Sequence, residues 1–247
     1  MGNKKILFNI VIISIFFTFS FESTESIIEY FKSFLQQKVP NSVILNTIQL
    51  LRKLNPQVYP GNLENNIQNF PKHLNTIKRN KGFIEDQRNY EDLKYGMKTI
   101  SFSGCEIIAA YNALYDLTGE ENINLPEMID YFEKDGILLY GNLGTAPQSV
   151  EEYFNKLGFE TMLSTNREEY LNIQNACDTY ILTKFNNIDD ITKLIHTICI
   201  TKKNGKFHAH NNGYSGPFIQ YDSISDILTT IDGGKAKDIV LLGIKKK

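Results

Sequence analysis

Residues 196–211 read His196-Thr197-Ile198-Cys199-Ile200-Thr201-Lys202-Lys203-Asn204-Gly205-Lys206-Phe207-His208-Ala209-His210-Asn211. Asn-Gly between two alternating runs is the strongest short-range hairpin signal, a two-residue type I′ turn. With Asn204 and Gly205 as the turn, Cys199 faces His210, and His196, Ile198 and Ile200 share a face with Phe207, Ala209 and Asn211. That face is otherwise apolar and is expected to pack on the core, with His196 and Asn211 diagonal neighbours at its rim. An amide at such a rim can hold an imidazole's tautomer and orientation. The other face carries Thr197, Cys199, Thr201, His208 and His210 and is expected to be polar and outward. Cys199 and His210, with no carboxylate or further thiol nearby, make only a thin metal site. A three-residue Lys203-Asn204-Gly205 loop with a bulge would pair His196 with Asn212 instead, making Asn212 the alternative orienter.

Outward from the hairpin, strands are expected at 160–163, 179–184, 196–202, 206–211 and 238–244, separated in part by helices near 167–176, 188–194 and 224–231. Before them lie three helices. The first runs from Cys105 to Leu117, with Ile107, Ala110, Tyr111 and Leu114 as its stripe and Gly119 as its stop. The others cover 125–133 and 147–157, the latter opened by Thr145 and Gln148 at capping-box spacing. Helices first and a mostly antiparallel sheet later define an α+β domain over 85–247. Upstream, 22–54 has helical periodicity and reads as a helical extension. Residues 55–84 hold Pro56, Pro60 and Pro71 with little periodicity and read as a linker or wrapping loop.

The chain has 247 residues, 42% hydrophobic, with a net charge of -2. That supports a real core and gives no field for gathering phosphate backbones, so nucleic acid is excluded as a partner. Three cysteines with no C-x-x-C pair argue against a disulfide framework or a zinc site, and no cofactor is implied. Lys4 and Lys5 precede an apolar run over 6–21, so residues 1–21 read as a signal peptide or membrane anchor. This implies an extracytoplasmic protein, secreted or membrane-associated through residues 6–21; the alternative is a buried N-terminal helix in a cytoplasmic protein.

The chemistry centres on Cys105, in Ser103-Gly104-Cys105-Glu106-Ile107-Ile108. The first turn of a helix favours a thiolate through its free N–H groups and dipole, whereas the adjacent Glu106 opposes it. A thiol nucleophile needs a base and a group to orient that base. Among the four histidines, the hairpin register selects His196 as base and Asn211 as orienter.

Gly104-Cys105 running into Ala109-Ala110-Tyr111-Asn112-Ala113-Leu114, Gly144-Thr145 before a helix, and His196 through Asn211 resemble papain-like cysteine peptidases. The similarity is greatest to the branch of bacteriocin-processing, double-glycine leader peptidases. It covers roughly Gln87 to the C-terminus and implies a papain-like fold, with Cys105 as nucleophile, His196 as base and Asn211 as orienter. The family places an oxyanion-donating glutamine about six residues before the cysteine. Position 99 here is threonine, and Gln87 is the nearest upstream glutamine. The expected activity is a thiol hydrolase cleaving a peptide or protein substrate through an acyl-enzyme. The alternatives are an inactive papain-like binding or immunity module and a cysteine acyltransferase on the same scaffold.

Overall fold

A computed structural model of the protein describes residues 39–53, 59–187, 195–213 and 219–246, with Glu29 and Ser33. The expected signal or anchor segment, most of the upstream helical run and the helix expected at 188–194 lie outside the described residues. Among the described residues, no helix is long and apolar enough to cross a membrane. The chain divides into two compact units, Met1–Val39 and Pro40–Lys247, and the second is the α+β domain.

That unit begins with α1 (Asn41–Lys53), α2 (Asn62–Asn69) and α3 (Leu74–Arg79). The linker expected at 55–84 is therefore, within its described residues 59–84, largely helical, and the unit starts earlier than residue 85. The apolar periodicity is weak there because asparagine amides make the attachments. Asn66 accepts the Lys94 N–H at 2.7 Å and donates to the Lys94 carbonyl at 2.9 Å, and Asn65 donates to the Asp92 carbonyl. Pro71 opens a single 3₁₀ turn between α2 and α3, where its missing N–H breaks no bond. Further along, α1 is tied in by Arg52, which bonds both Asp135 and Glu152.

A short hairpin, β1 (Lys94–Tyr95) and β2 (Lys98–Thr99), leads into one helical turn, α4 (Ile100–Ser103), and then into α5 (Cys105–Thr118). Gly104 is required at that junction: a Cβ there would sit 2.9 Å from the Ile100 Cα. α6 (Leu125–Lys134) and α7 (Pro147–Lys156) follow. The capping box expected at Thr145 and Gln148 does not form. Thr145 pairs its hydroxyl with Tyr95 at 2.6 Å, and Gln148 donates to the Leu45 carbonyl.

β3 (Glu160–Ser164), α8 (Tyr170–Ala176), β4 (Thr179–Phe185), β5 (Ile195–Lys203), β6 (Lys206–His210), α9 (Ile224–Thr230) and β7 (Lys237–Lys245) complete the unit. The sheet order is β3-β7-β4-β5-β6, antiparallel throughout. Its hairpin register is the two-residue one, with Cys199 opposite His210 and Ile200 opposite Ala209.

Both faces of the sheet are covered. Ile198, Ile200, Phe207, Leu182 and Leu241 pack with Ile173 of α8 and Ile224 and Ile227 of α9. Cys199, Ile181 and Leu242 pack with Ile107, Ile108 and Ala110 of α5, whose small residues bring the helix close to the strands. The face expected to be polar and outward is thus largely interior: Thr197, Cys199, Thr201 and His210 are all buried. Its polar groups pair with one another instead of with water. His210 bonds Glu85 at 2.8 Å through Nδ1 and Thr201 at 3.0 Å through Nε2, and its ring stacks on Phe83.

Glu133 on α6 is buried and accepts the Gly96 N–H at 2.6 Å and the Asn62 amide at 2.7 Å, both on Oε1. Burial pushes its pKa up to about 7 from the usual 4.5. A raised carboxyl contributes stability that is complete below pH 4.5 and is lost as pH rises through 7, up to about 3 kcal/mol. Glutamine keeps the accepting oxygen without the charge. Glu133→Gln is therefore expected to match the wild type near pH 4.5 and to be the more stable protein at pH 8. Thermal melts across that range test this, and a pH-independent difference would contradict it.

Candidate active site

Cys105 is the first residue of α5, and its side chain is buried at the turn made by α4 and Gly104. The thiol donates to Oε2 of Glu106 at 3.0 Å. The Thr197 hydroxyl donates to Oε1 of the same carboxylate at 3.1 Å. A threonine has one hydroxyl hydrogen, so Thr183, 3.0 Å from Thr197, supplies the proton of that second contact. Main-chain N–H groups of Thr145 and of Glu106 itself also point at the carboxylate. Gly144 makes room for it, since a Cβ there would lie 3.1 Å from Oε2.

Burial raises the Glu106 pKa despite these donors. It raises the Cys105 thiol well above its usual range, and the charge of Glu106 and the bond to it act in the same direction. The main-chain N–H groups of Thr197 and Glu106 pull the other way and are outweighed. The thiolate expected from the helix start is therefore not the resting form: desolvation beside a carboxylate exceeds what a helix dipole supplies.

Thr197, whose main-chain N–H pulls the Cys105 pKa down, is the residue after His196. His196 stands opposite Lys184 in the β4–β5 register. Its Nε2 lies 2.5 Å from the main-chain carbonyl of Asn211. A carbonyl can only accept, so Nε2 carries the hydrogen and Nδ1 is left to accept a proton. Burial lowers the ring's pKa to about 4, the Lys184 ammonium adding to the effect, which keeps His196 neutral at pH 7. Lys184 is itself buried, bonded to Asp232 and to Asn186, and its pKa is lowered by burial. Its charge acts on both Cys105 and His196.

Asn211 bonds the His196 ring through its backbone carbonyl, not its side chain. β6 ends at His210, and Asn211 adopts φ +58°, which turns its carbonyl toward the ring. The side-chain amide goes to Gln87. Its Oδ1 accepts the Gln87 N–H at 3.0 Å, and its Nδ2 donates to Gln87 Oε1 at 2.9 Å. Gln87 Nε2 in turn donates to the Ser101 carbonyl at 3.3 Å. The looped segment thus returns Gln87 to α4, close in sequence to Cys105, with its donor committed to the backbone. Asn212, the alternative orienter, is displaced from that role by the two-residue register.

Gln87, His196, Asn211 and Asn212 line an open cleft of about 410 Å³, with Asp86 and Asp232 among its other walls. Among the described residues, no group of three or more His, Cys, Asp or Glu side chains could hold a metal. The Cys199–His210 pair has both imidazole nitrogens already bonded. Sequence reasoning missed Lys184 and the pairing of Glu106 with Thr197. The available signals were a lysine ending an apolar strand and a carboxylate beginning an apolar helix. No protein-family model matches the chain, and a search of the curated proteins finds no match.

Asn211→Gly keeps a residue suited to positive φ and keeps the carbonyl while removing the amide. It is expected to leave the His196 imidazole titrating near 4, followed by NMR, while costing about 1–2 kcal/mol through the lost Gln87 bonds. Gln87→Ala should cost a similar amount, and the double variant little more than either. A His196 midpoint returning to the ordinary range in Asn211→Gly would show that the side chain is the orienter.

Proposed function

We propose that this protein is a thiol hydrolase of peptide or amide bonds on a papain-like fold, with Cys105 as nucleophile and His196 as base. The observation that carries the reading is the tautomer of His196: its Nε2–H is spent on the Asn211 carbonyl, so Nδ1 is free to take a proton at an open cleft. The main-chain N–H of Thr197, the residue after His196, lowers the pKa of the Cys105 thiol.

In this reaction the thiol proton passes to Nδ1 as sulfur bonds to the substrate carbonyl carbon, and the carbonyl π pair moves onto oxygen. The main-chain N–H of Cys105, at the start of α5, is a donor for that oxyanion. Gln87 joins it only if its amide leaves the Ser101 carbonyl. Collapse of the intermediate breaks the C–N bond, and the imidazolium gives its proton to the departing amine. Water then attacks the thioester, losing a proton to Nδ1, and the sulfur leaves and regains that proton. The basic and apolar run at residues 4–21 supports an extracytoplasmic peptide or protein as substrate.

A second reading, an inactive papain-like binding module, is favoured by one pair of observations. The Cys105 thiol is held protonated by its surroundings, and the Gln87 donor is occupied.

Peptide-library cleavage separates the two. The hydrolase is expected to lose at least about 10³-fold in kcat/KM in Cys105→Ala and in His196→Ala. Because His196 is the base when neutral, its activity should fall only as pH drops toward 4 and hold across the neutral range. Cleavage that survives Cys105→Ala would overturn the assignment.

A further inference from the structure

We propose that Glu106 is a positioning residue that holds Cys105 in a latent, protonated state, and that the thiol must turn from the Glu106 carboxylate before it can react. This regulation rests on the hydrolase reading for its purpose, but its geometry stands independently. The Sγ–H bond to Oε2 is 3.0 Å, and the carboxylate that accepts it is fixed on its other oxygen by Thr197. Gly144 admits the carboxylate from one side, where any side chain would crowd it. The small cavity beside Glu106 is walled mainly by apolar side chains, Pro147, Val150, Ile181, Val240 and Leu242, with Thr183 the one neutral polar group.

The two groups behave as a coupled pair. A thiolate and a carboxylate 3.0 Å apart in a dry site repel, so the pair holds on to its shared proton more tightly than the buried thiol would without the carboxylate beside it. The other titratable groups acting on the pair are Tyr95, which is buried beside Glu106 and stays neutral, and Lys184, whose ammonium feels Cys105. Lys184 is already bonded to Asp232, which offsets its charge. The only strong contact of the thiol proton is thus the one that opposes its loss. Turning the sulfur toward His196 exchanges a charged acceptor for a neutral one, Nδ1, to which the proton can be transferred without leaving two anions side by side.

Alkylation by iodoacetamide, followed residue by residue with mass spectrometry, tests this without any substrate. In the wild type, the pH midpoint for Cys105 alkylation is expected above the ordinary thiol value of about 8.5. Glu106→Gln should lower that midpoint by at least about one pH unit and speed alkylation at pH 7 at least about tenfold. A purely structural role for Glu106 would expose Cys177 and Cys199 as well, whereas latency predicts a change at Cys105 alone. A wild-type midpoint at or below the ordinary value, or a rate in Glu106→Gln that is unchanged or slower, would overturn the proposal. If Glu106→Gln does not fold, Thr197→Val takes its place: losing the hydroxyl that fixes the carboxylate is expected to shift the Cys105 midpoint and no other cysteine's, and an unchanged midpoint would overturn the proposal. A shifted midpoint in a protein that cleaves no peptide would uphold the latency and remove the hydrolase reading.

Discussion

A carboxylate taken out of water has to be met by donors on every side, and around Glu106 that requirement organises the molecule. Its partners come from three separate elements: the thiol of Cys105 on the same helix, the hydroxyl of Thr197 on β5, and the N–H of Thr145 ahead of α7. Satisfying them fixes the start of α5 against the sheet and sets the height of Cys105 relative to β5. The small residues along α5 let the helix come near enough for these bonds to form. The position of the sulfur follows from one buried carboxylate, and its protonation state from burial with that carboxylate adding to it.

The site that results is electrically quiet at neutral pH. The thiol is raised by burial and by Glu106, and the imidazole is lowered by burial and by Lys184, so both reactive groups rest uncharged. This differs from a thiolate–imidazolium pair, in which the attacking group is prepared in advance. Here the full charges lie one layer away, on Glu106 and on the Lys184–Asp232 pair. In the proposed hydrolase, proton transfer from sulfur to nitrogen would have to be driven by what happens at the substrate.

The hairpin was readable because Asn204-Gly205 determines register by itself, and register alone selects His196. The long helix from Cys105 was readable because its apolar spacing and Gly119 are local signals. What local signals could not convey was which face of the hairpin would be covered. Thr197, Cys199, Thr201 and His210 look solvent-facing one at a time and are buried because α5 and the segment from Phe83 to Gln87 lie over them. The stretch at 59–79 was misread for a related reason: its asparagines bind distant backbone, which leaves no periodic trace. At Asn211 it is the main-chain carbonyl and not the amide that meets His196, a distinction no letter in a sequence carries.

The position of β7 has a bearing on how the molecule is made. It follows β3 and β4 in the chain, the last strand among the described residues, yet it lies inside the sheet, between them. Until residues 237–245 have emerged from the ribosome, β3 has no neighbour and β4 has one open edge. The earlier helices and the β4–β5–β6 meander can form while synthesis continues, but sheet closure waits on long-range pairing, the slow kind. During that interval a translating chain carries unsatisfied edges on both β3 and β4, the surfaces on which nascent proteins adhere to one another.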